Sequence, residues 1–420
     1  MHTIHLPYGN GISVTVNIPD KNFAGAYSSK CVHTTKSPSE LTEHALLNPI
    51  SSLKLHQLIN ANQNVLIVVD DNTRPTPVAL ILPEVLNILK DCGLADEQRR
   101  ILFASGTHRA MTDEEKKLKV GESTLTRFEC ICHDYLGNCV SLGTTQYGTP
   151  IEVNPLLKWS DFTIAIGSVV PHAYCGWGGG GKMILPGVSS ARSILATHML
   201  PYQHPEIGIG LTENRARTEI DEASQIAGLK FIINAVLSPD GDVVDIVAGG
   251  VVPAHRECIK RAASLQSIEI PESDLVFGCS YPEYSCYWQA NKAFHPMERV
   301  VKPGGLAVMV ASMPEGRGEH PNCFDAMGEP DELLIEQLNG MKDSDLDSSI
   351  AIACALADKK LQRKARVGIM SNGLPKSENA NGVFIRFDNP DDAVKMILQE
   401  NENARITCLL NAPQMLPIKV

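Results

Sequence analysis

The chain of 420 residues is long enough for two domains, and its composition, with 43% hydrophobic and 20% charged residues, is that of a globular protein. Its net charge of −11 argues against binding to nucleic acid or to membrane surfaces, because such binding needs clustered Lys and Arg. No apolar run reaches the roughly 18 residues of a membrane span, and the N-terminus has no signal-peptide pattern, so we expect a cytoplasmic protein with reduced cysteines.

Three apolar runs in the first half of the chain each end in a polar loop. NVLIVVD (64–70) is followed by DNTRPTP, where Thr76 and Pro77 are predicted as the N-cap and first residue of a helix. RRILFAS (99–105) is followed by GTHRAM and by a predicted capping box, T-D-E-E, at 112–115. DFTIAIGSVV (161–170) leads into a glycine-rich stretch. Apolar runs that alternate with helical patterns predict parallel strands, and ligands bind beyond the carboxyl ends of such strands.

The second half of the chain repeats this pattern. Strands are predicted at 274–280, 305–312, 366–371, 383–388 and 405–410, and QSIEIPES (266–273) is predicted as a linker. The pattern predicts an α/β fold of two domains with mainly parallel sheets and an active site in the cleft between them. We place the first domain at 1–268 and the second at 269–420, with the last segment free to pack back on the first domain.

Reactive side chains follow each of the three N-terminal strands. They are Asp70, Asp71, Thr73 and Arg74 after the first strand, Thr107, His108 and Arg109 after the second, and His172 and Lys182 after the third. A single histidine at a strand end is usually structural, but two at neighbouring strand ends, beside Arg and Lys, favour a functional site. Two histidines that face one substrate can exchange acid and base roles, which suits a reaction on opposite faces of one carbon.

The segment GWGGGGKM (176–183) fits the pattern G-x-x-x-x-G-K of a phosphate-binding loop, but Met183 stands where that loop has Ser or Thr. Its glycines indicate close approach of the backbone to a ligand. The ligand would be either a phosphate or a cofactor attached covalently to Lys182. The following LPGVSSARSILATH predicts a helix that begins at Ser189 or Ser190, with His198 near its end as a candidate metal ligand.

Taken together, DDNTRPTP, ASGTHR, GSVVPHAYCGWGGGGKMILPGVSSARSI with His198, and YWQANKAF resemble the nickel-pincer-dependent lactate racemase family. The resemblance begins at about residue 8, is dense over 64–200 and thinner after about 310. It implies a racemase or epimerase, an isomerase that inverts C2 of a 2-hydroxy acid. It also implies dependence on cofactor-synthesis enzymes for maturation.

The resemblance implies a pyridinium-type mononucleotide joined to Lys182 through a thioamide, with Ni(II) held by a ring carbon and two sulfurs. His198 would complete the square plane, which soft sulfur donors and one imidazole suit. The residues of 71–74, namely Asp71, Asn72, Thr73 and Arg74, would contact this cofactor. The glycines would let its ring lie against the backbone.

The resemblance also implies the roles of the remaining site residues. His108 and His172 would be the two proton donors and acceptors, one for each face of the substrate, while hydride moves from C2 to the cofactor and back. Arg74 and Lys292 would bind the substrate carboxylate, and Gln289 would add a hydrogen bond.

Trp288 departs from the family pattern, which has a tyrosine before the glutamine. We therefore expect a substrate larger than lactate, such as malate, an aryl-lactate or a sugar acid, with lactate itself as the alternative. A non-catalytic protein that binds the cofactor is a further alternative, which the His108 and His172 pair argues against. A nucleotide hydrolase with a phosphate-binding loop is another, which Met183 argues against.

Overall fold

The computed structural model describes residues 1–420. Its strands are β1 (His2–Gly9), β2 (Ile12–Ile18), β3 (Phe23–Tyr27), β4 (Val65–Asp70), β5 (Arg99–Ala104), β6 (Glu129–Cys132), β7 (Val140–Thr144), β8 (Pro150–Val153), β9 (Phe162–Ser168), β10 (Pro171–His172), β11 (Gly176–Trp177), β12 (Leu229–Leu237), β13 (Val243–Gly249), β14 (Ser267–Ile270), β15 (Ser273–Cys279), β16 (Val301–Val310), β17 (Arg366–Met370), β18 (Phe384–Arg386), β19 (Ile406–Leu409) and β20 (Leu416–Lys419).

The α-helices are α1 (Pro38–Leu47), α2 (Leu55–Leu58), α3 (Val78–Asp91), α4 (Asp113–Val120), α5 (Glu122–Arg127), α6 (Leu156–Trp159), α7 (Ala191–His198), α8 (Leu200–Gln203), α9 (Arg215–Ile226), α10 (Val251–Gln266), α11 (Tyr287–Ala290), α12 (Phe294–Val300), α13 (Pro321–Ala326), α14 (Asp331–Gly340), α15 (Leu346–Asp358), α16 (Lys360–Lys364) and α17 (Pro390–Glu400). None of them is both long and apolar enough to cross a membrane.

Two structural units divide the chain. The N-terminal unit consists of Cys31–Leu200 and Gly210–Leu265, and the C-terminal unit consists of Met1–Lys30, Pro201–Ile209 and Gln266–Val420. The first residues of the chain belong to the C-terminal unit because β3 pairs with β19 in its sheet. The segment predicted as a linker begins at the boundary of the units and forms β14, which pairs with β20.

The N-terminal unit is built on a six-stranded sheet of order β13-β12-β9-β4-β5-β6. All neighbours are parallel except β12 and β13. Every residue of β4 is buried, as expected of a strand covered on both faces. Helix α3 buries one stripe at helical spacing, namely Val78, Ile81, Leu82, Val85, Leu86 and Leu89. The three strands predicted in the first half of the chain are therefore confirmed.

The C-terminal unit is built on a second six-stranded sheet, of order β18-β17-β16-β15-β19-β3, in which all neighbours are parallel. The five strands predicted in the second half of the chain are all members of this sheet. The prediction of an α/β fold with mainly parallel sheets is confirmed.

Two of the three predicted helix starts are observed. Thr112 and Glu115 form the capping box of α4, and Ser190 caps α7 by accepting a hydrogen bond from the amide of Ser193. The prediction for Thr76 is wrong, because α3 begins one residue later with Pro77 as its N-cap. The Thr76 hydroxyl instead points to the buried Asp70 carboxylate, to which it donates, and lies 2.8 Å from the Ser168 hydroxyl.

Candidate active site

The register of the N-terminal sheet aligns the loops that carry the predicted site residues. Asp70, the last residue of β4, pairs with Ala104, the last residue of β5, and Val69 pairs with Ile166 of β9. Because the three strands are parallel and end at the same edge, the loops that begin at 71, 105 and 169 leave the sheet together.

A short hydrogen bond between Asp71 and His108 joins two of these loops. The Oδ2 atom of Asp71 lies 2.6 Å from Nδ1 of His108, and its Oδ1 accepts hydrogen bonds from the hydroxyl of Thr73 at 2.6 Å and from its amide at 3.1 Å. Burial acts to raise the pKa of Asp71, but the charge and hydrogen bond of His108, the charge of Arg74 and the Thr73 hydrogen bond together hold that pKa well below its usual range. Asp71 is therefore a carboxylate, and His108 donates to it from Nδ1.

This pairing fixes the chemistry that His108 can perform. A neutral imidazole that carries its proton on Nδ1 presents a lone pair at Nε2. The carboxylate also stabilises the imidazolium that forms when Nε2 takes a proton. With its tautomer fixed in this way, His108 has the geometry that general-base chemistry at Nε2 requires.

A buried lysine binds the backbone of the loop 71–76 and the aspartate that precedes it. Lys119 at the end of α4 is 8% exposed, and its Nζ lies 2.6 Å from Oδ1 of Asp70. The same Nζ donates to the carbonyl oxygens of Arg74 at 2.9 Å and Thr76 at 3.0 Å. Burial raises the pKa of Asp70, and the charge of Lys119 counteracts that rise.

The other two predicted cofactor contacts of this loop have protein partners. Asn72 donates to Oε1 of Glu115 at 2.9 Å, and that Glu115 carboxylate also pairs with Arg109. Arg74 donates from Nη1 to the hydroxyl of Thr73 at 2.9 Å, and the residue as a whole is partly exposed. A guanidinium is a planar fork of donors that suits an anionic ligand.

His172 lies in a two-stranded hairpin, β10 with β11, that follows β9. Its Nδ1 accepts a hydrogen bond from the amide of Tyr174 at 3.2 Å. The neutral ring then carries its proton on Nε2, the opposite tautomer to that of His108. The Tyr174 ring packs edge-on against both His172 and His198, with ring centroids 5.7 and 5.4 Å apart.

His198 is the last residue of α7 and is oriented as a metal ligand would be. Its Nδ1 lies 2.9 Å from the carbonyl oxygen of Ile194, to which it donates, so Nε2 has a lone pair. Metal-binding histidines commonly use this pattern, in which the other ring nitrogen is held by a carbonyl. The structure has no group of three or more His, Cys, Asp or Glu side chains that could hold a metal ion.

Lys182 lies in a 3-10 turn, Gly180–Met183, and is partly exposed, whereas Met183 beside it is buried. The glycines before it fit closely against the protein itself. A Cβ atom at Gly180, where φ is +59°, would lie 2.7 Å from the ring of His255, and one at Gly181 would lie 2.8 Å from the Ser224 hydroxyl. Glycine is therefore needed at both positions for packing within the protein.

The predicted substrate residues of the C-terminal unit lie together. Lys292 donates to Oε1 of Gln289 and pairs with Oε2 of Glu283 at 3.0 Å. Gln289 is 2% exposed, and its Nε2 has no hydrogen-bond partner. The ring centroids of Trp288 and the buried His320 lie 4.3 Å apart. An unpaired buried amide is costly, so Gln289 is well suited to donate to a bound ligand.

Three of these residues were not identified from the sequence. Tyr174 follows His172 by two residues, and an aromatic residue next to a candidate histidine was a usable signal. Lys119 and Glu283 gave none, because a lysine in a charged helix and a glutamate in a loop are ordinary surface residues until the fold buries them.

Comparison with known proteins agrees with the resemblance noted from the motifs. Residues 8–210 match the sequence model of the lactate racemase N-terminal domain. A lactate racemase of Lactiplantibacillus plantarum is 32% identical over 350 residues, which cover 81% of this chain and 82% of that protein. A lactate racemase of Thermoanaerobacterium thermosaccharolyticum is 28% identical over 356 residues, which cover 82% of this chain and 83% of that protein.

Solved structures give the same result for the fold. The lactate racemase apoprotein from Thermoanaerobacterium thermosaccharolyticum superposes with a TM-score of 0.88 at 25% identity, covering 99% of this chain and 100% of that one. A protein from Thermotoga maritima superposes with a TM-score of 0.71 at 21% identity, covering 91% and 98% of the two chains. The second similarity concerns the fold alone.

Proposed function

The chain belongs to the lactate racemase family and is an isomerase, and we propose that it inverts C2 of a 2-hydroxy acid by moving a proton and a hydride. Lys182 would carry a nickel-pincer nucleotide, and His198 would supply the protein ligand of its Ni(II) through Nε2. When bound, this cofactor supplies an acceptor and donor of hydride. Enzymes that synthesise the cofactor would be required for maturation, which we place in the cytoplasm.

The single observation that carries the proposal is the hydrogen bond of His108 to Asp71 at 2.6 Å. It leaves His108 Nε2 ready to take the hydroxyl proton of one enantiomer as the C2–H bond breaks. The product of that step is a planar 2-keto acid. When hydride returns to the opposite face of C2, the carbonyl oxygen must regain a proton, and the other enantiomer forms.

His172 would serve the second face. Its neutral ring would carry the proton on Nε2, because Nδ1 accepts from the Tyr174 amide. This Nε2–H can hydrogen-bond to the substrate oxygen while His108 acts as base. To act as base itself, His172 must move its proton to Nδ1 and give up the bond from Tyr174. The two histidines thus begin the reaction in different states.

Gln289 and Lys292 would bind the substrate carboxylate, together with Arg74. The unpaired Nε2 of Gln289 and the ammonium of Lys292 are donors that a carboxylate can accept from. Glu283 balances the charge of Lys292. Once the C1 carboxylate binds Arg74, a second carboxylate, as in malate, would find only Lys292, whose charge Glu283 already balances. This favours lactate or a 2-hydroxy acid with an uncharged side chain, including aryl-lactates and sugar acids.

The test is an assay of the matured, nickel-loaded protein with single enantiomers of lactate, an aryl-lactate, a sugar acid and malate. Chiral chromatography should detect the opposite configuration at C2, with malate the slowest of the four. Protein produced without the cofactor-synthesis enzymes is the control and should be inactive. The proposal is refuted if protein with attached cofactor interconverts no 2-hydroxy acid.

A further inference from the structure

Two consecutive carbonyl groups at the start of the glycine run, those of Trp177 and Gly178, are held by buried side chains of different helices. Arg217 of α9 donates from Nη2 to the carbonyl oxygen of Trp177. His255 of α10 donates from Nε2 to the carbonyl oxygen of Gly178 at 2.7 Å. Both side chains are 0% exposed, so they are packed beneath this loop and not at the surface.

The two donors are the ends of one chain of contacts. Arg256 donates from Nη1 to Nδ1 of His255 at 3.0 Å and from Nη2 to Oδ2 of Asp221 at 2.6 Å. The other oxygen of Asp221 lies 3.6 Å from Nη1 of Arg217. We call Arg217, Asp221, Arg256 and His255 the carbonyl clamp.

His255 is a neutral member of the carbonyl clamp. One of its ring nitrogens donates to Gly178 and the other accepts from Arg256. Burial and the positive charge of Arg217 lower the pKa of His255 well below its usual range. The donor to Gly178 is therefore Nε2–H of a fixed tautomer, and its direction is set by Arg256.

The glycine run packs directly against His255 of the carbonyl clamp. The Cα of Gly180 approaches the His255 ring so closely that no Cβ would fit, and its amide donates to Oδ1 of Asn234 at 3.0 Å. The loop from Trp177 to Gly180 is thus held by two carbonyl groups, one amide and one ring contact. Lys182 follows within the same 3-10 turn.

Stability alone does not explain a buried arginine at this place. The Nε of Arg217 is buried without a hydrogen-bond partner, and such groups cost free energy. Replacing buried ion pairs by apolar residues is often neutral or stabilising. Arg217 is explained better if the position of the Trp177 carbonyl matters for function.

We propose that the carbonyl clamp is a positioning device that fixes the backbone from which Lys182 presents its amine. None of its four residues would touch substrate, and each would act through Lys182. The proposal rests on the proposed role of Lys182 as the attachment point. It adds that the position of Lys182 is set by α9 and α10 and not by the glycine loop alone.

The experiment compares four variants with the wild-type chain. His255→Phe keeps a ring against Gly180 but removes the donor to Gly178, and His255→Gln restores a donor. Arg217→Met removes the other end of the clamp. Ile259→Ala is the matched control, because Ile259 is buried on α10 and has no polar group.

Two measurements use protein without cofactor, so they do not depend on the proposed reaction. The first is hydrogen exchange of the peptide that spans 176–187. The second is the rate at which N-hydroxysuccinimidyl acetate acetylates Lys182, normalised to Lys395, which is exposed. Loss of one hydrogen bond to the loop should change either rate by about threefold to tenfold. Thermal unfolding shows whether each variant is folded.

We expect His255→Phe and Arg217→Met to change both rates, His255→Gln to return near wild type, and Ile259→Ala to lower the melting temperature without changing either rate. In matured protein, His255→Phe should lower kcat per attached cofactor on the order of tenfold, with little change in KM, since misplacing a reacting group is costly.

The proposal is overturned if folded His255→Phe and Arg217→Met have wild-type exchange and acetylation rates, or if Ile259→Ala changes both as much. A wild-type chain that gains no mass on Lys182 during maturation would refute the attachment instead. The exchange and acetylation rates would still decide whether the clamp holds the loop.

Discussion

Asp71→Asn is the substitution that tests the proposed base most directly. The amide can keep the hydrogen bond from Thr73 through its oxygen, while its NH₂ faces Nδ1 of His108, 2.6 Å from Oδ2 in the wild type. His108 would then accept at Nδ1 and carry its proton on Nε2. The lone pair needed to take the substrate proton would be lost, although the side chains keep nearly the same shape.

The expected size of the effect follows from the burial of the pair. Asp71 is 1% exposed, so its carboxylate acts on His108 with little screening by water. Two unit charges about 4 Å apart interact by about 4 kcal/mol at an effective dielectric constant near 20. Loss of this stabilisation of the imidazolium corresponds to about 10³-fold in rate. Removal of a general base typically costs about 10²–10⁴-fold, which agrees.

The assay measures racemisation of matured protein in both directions, with each rate divided by the amount of cofactor found by intact mass. Dividing by occupancy separates loss of the base from weaker cofactor binding, which Asp71 could also affect. Nitrogen-15 NMR of labelled histidine reports the tautomer of His108. Thr73→Val is the control, since it removes one bond to Asp71 but keeps the carboxylate, and should cost less than about tenfold. A kcat within about threefold of wild type in Asp71→Asn would refute the role of His108 as a base held by Asp71.

Other substitutions test the attachment site, the metal ligand, the loop support and the substrate charge. Lys182→Ala should abolish the mass increase on maturation, and a mass increase that survives would exclude Lys182 as the tether. His198→Ala should lower bound nickel and activity together, whereas full nickel retention would contradict its role as ligand. Lys119→Met leaves the carboxylate of Asp70 buried without its cation and should lower the free energy of unfolding by about 3–5 kcal/mol in urea titrations. The pKa of Asp70 is already raised by burial and would rise further without Lys119. Protonation of Asp70 therefore stabilises the folded variant at low pH, and this contribution is lost as pH rises, so the loss of unfolding free energy should be smaller at pH 5 than at pH 7. A loss that is independent of pH would show that Asp70 is not the cause. Glu283→Gln should raise the rate on malate relative to lactate, and an unchanged ratio would refute the charge argument.

The parts of the site that could be predicted from sequence are those encoded by neighbouring residues. Strand β4 is apolar at every position before Asp70, and the capping residues Thr112 and Ser190 precede their helices directly. Local patterns of this kind place His108 and His198 at a strand end and a helix end. The pairing of His108 with Asp71 could not be predicted, because it depends on the register of β4 against β5.

Long-range pairing limited the prediction of the fold in the same way. Strand β3 has the sequence FAGAY, in which the two aromatic residues favour a strand but the central Ala-Gly-Ala does not, so its own sequence gives only a weak strand signal. It becomes a strand because β19 offers it a free edge from the other end of the chain. For the same reason the first residues belong to the C-terminal unit, which periodicity along the chain does not reveal.

The glycine run shows how one sequence pattern can arise from two different physical requirements. In a phosphate-binding loop, the lysine opens a helix and the next residue turns a hydroxyl toward a metal ion. Here Lys182 lies in a 3-10 turn, and the next residue, Met183, is buried so close to β9 that a Cβ at Gly167 would lie 3.0 Å from its sulfur. The methionine therefore anchors the turn in the apolar interior, where a serine would leave a hydroxyl to satisfy. The residue that breaks the phosphate-loop motif is thus a packing residue. The glycines at 180 and 181 fit against His255 and Ser224, which gives Lys182 the fixed backbone that its proposed role requires.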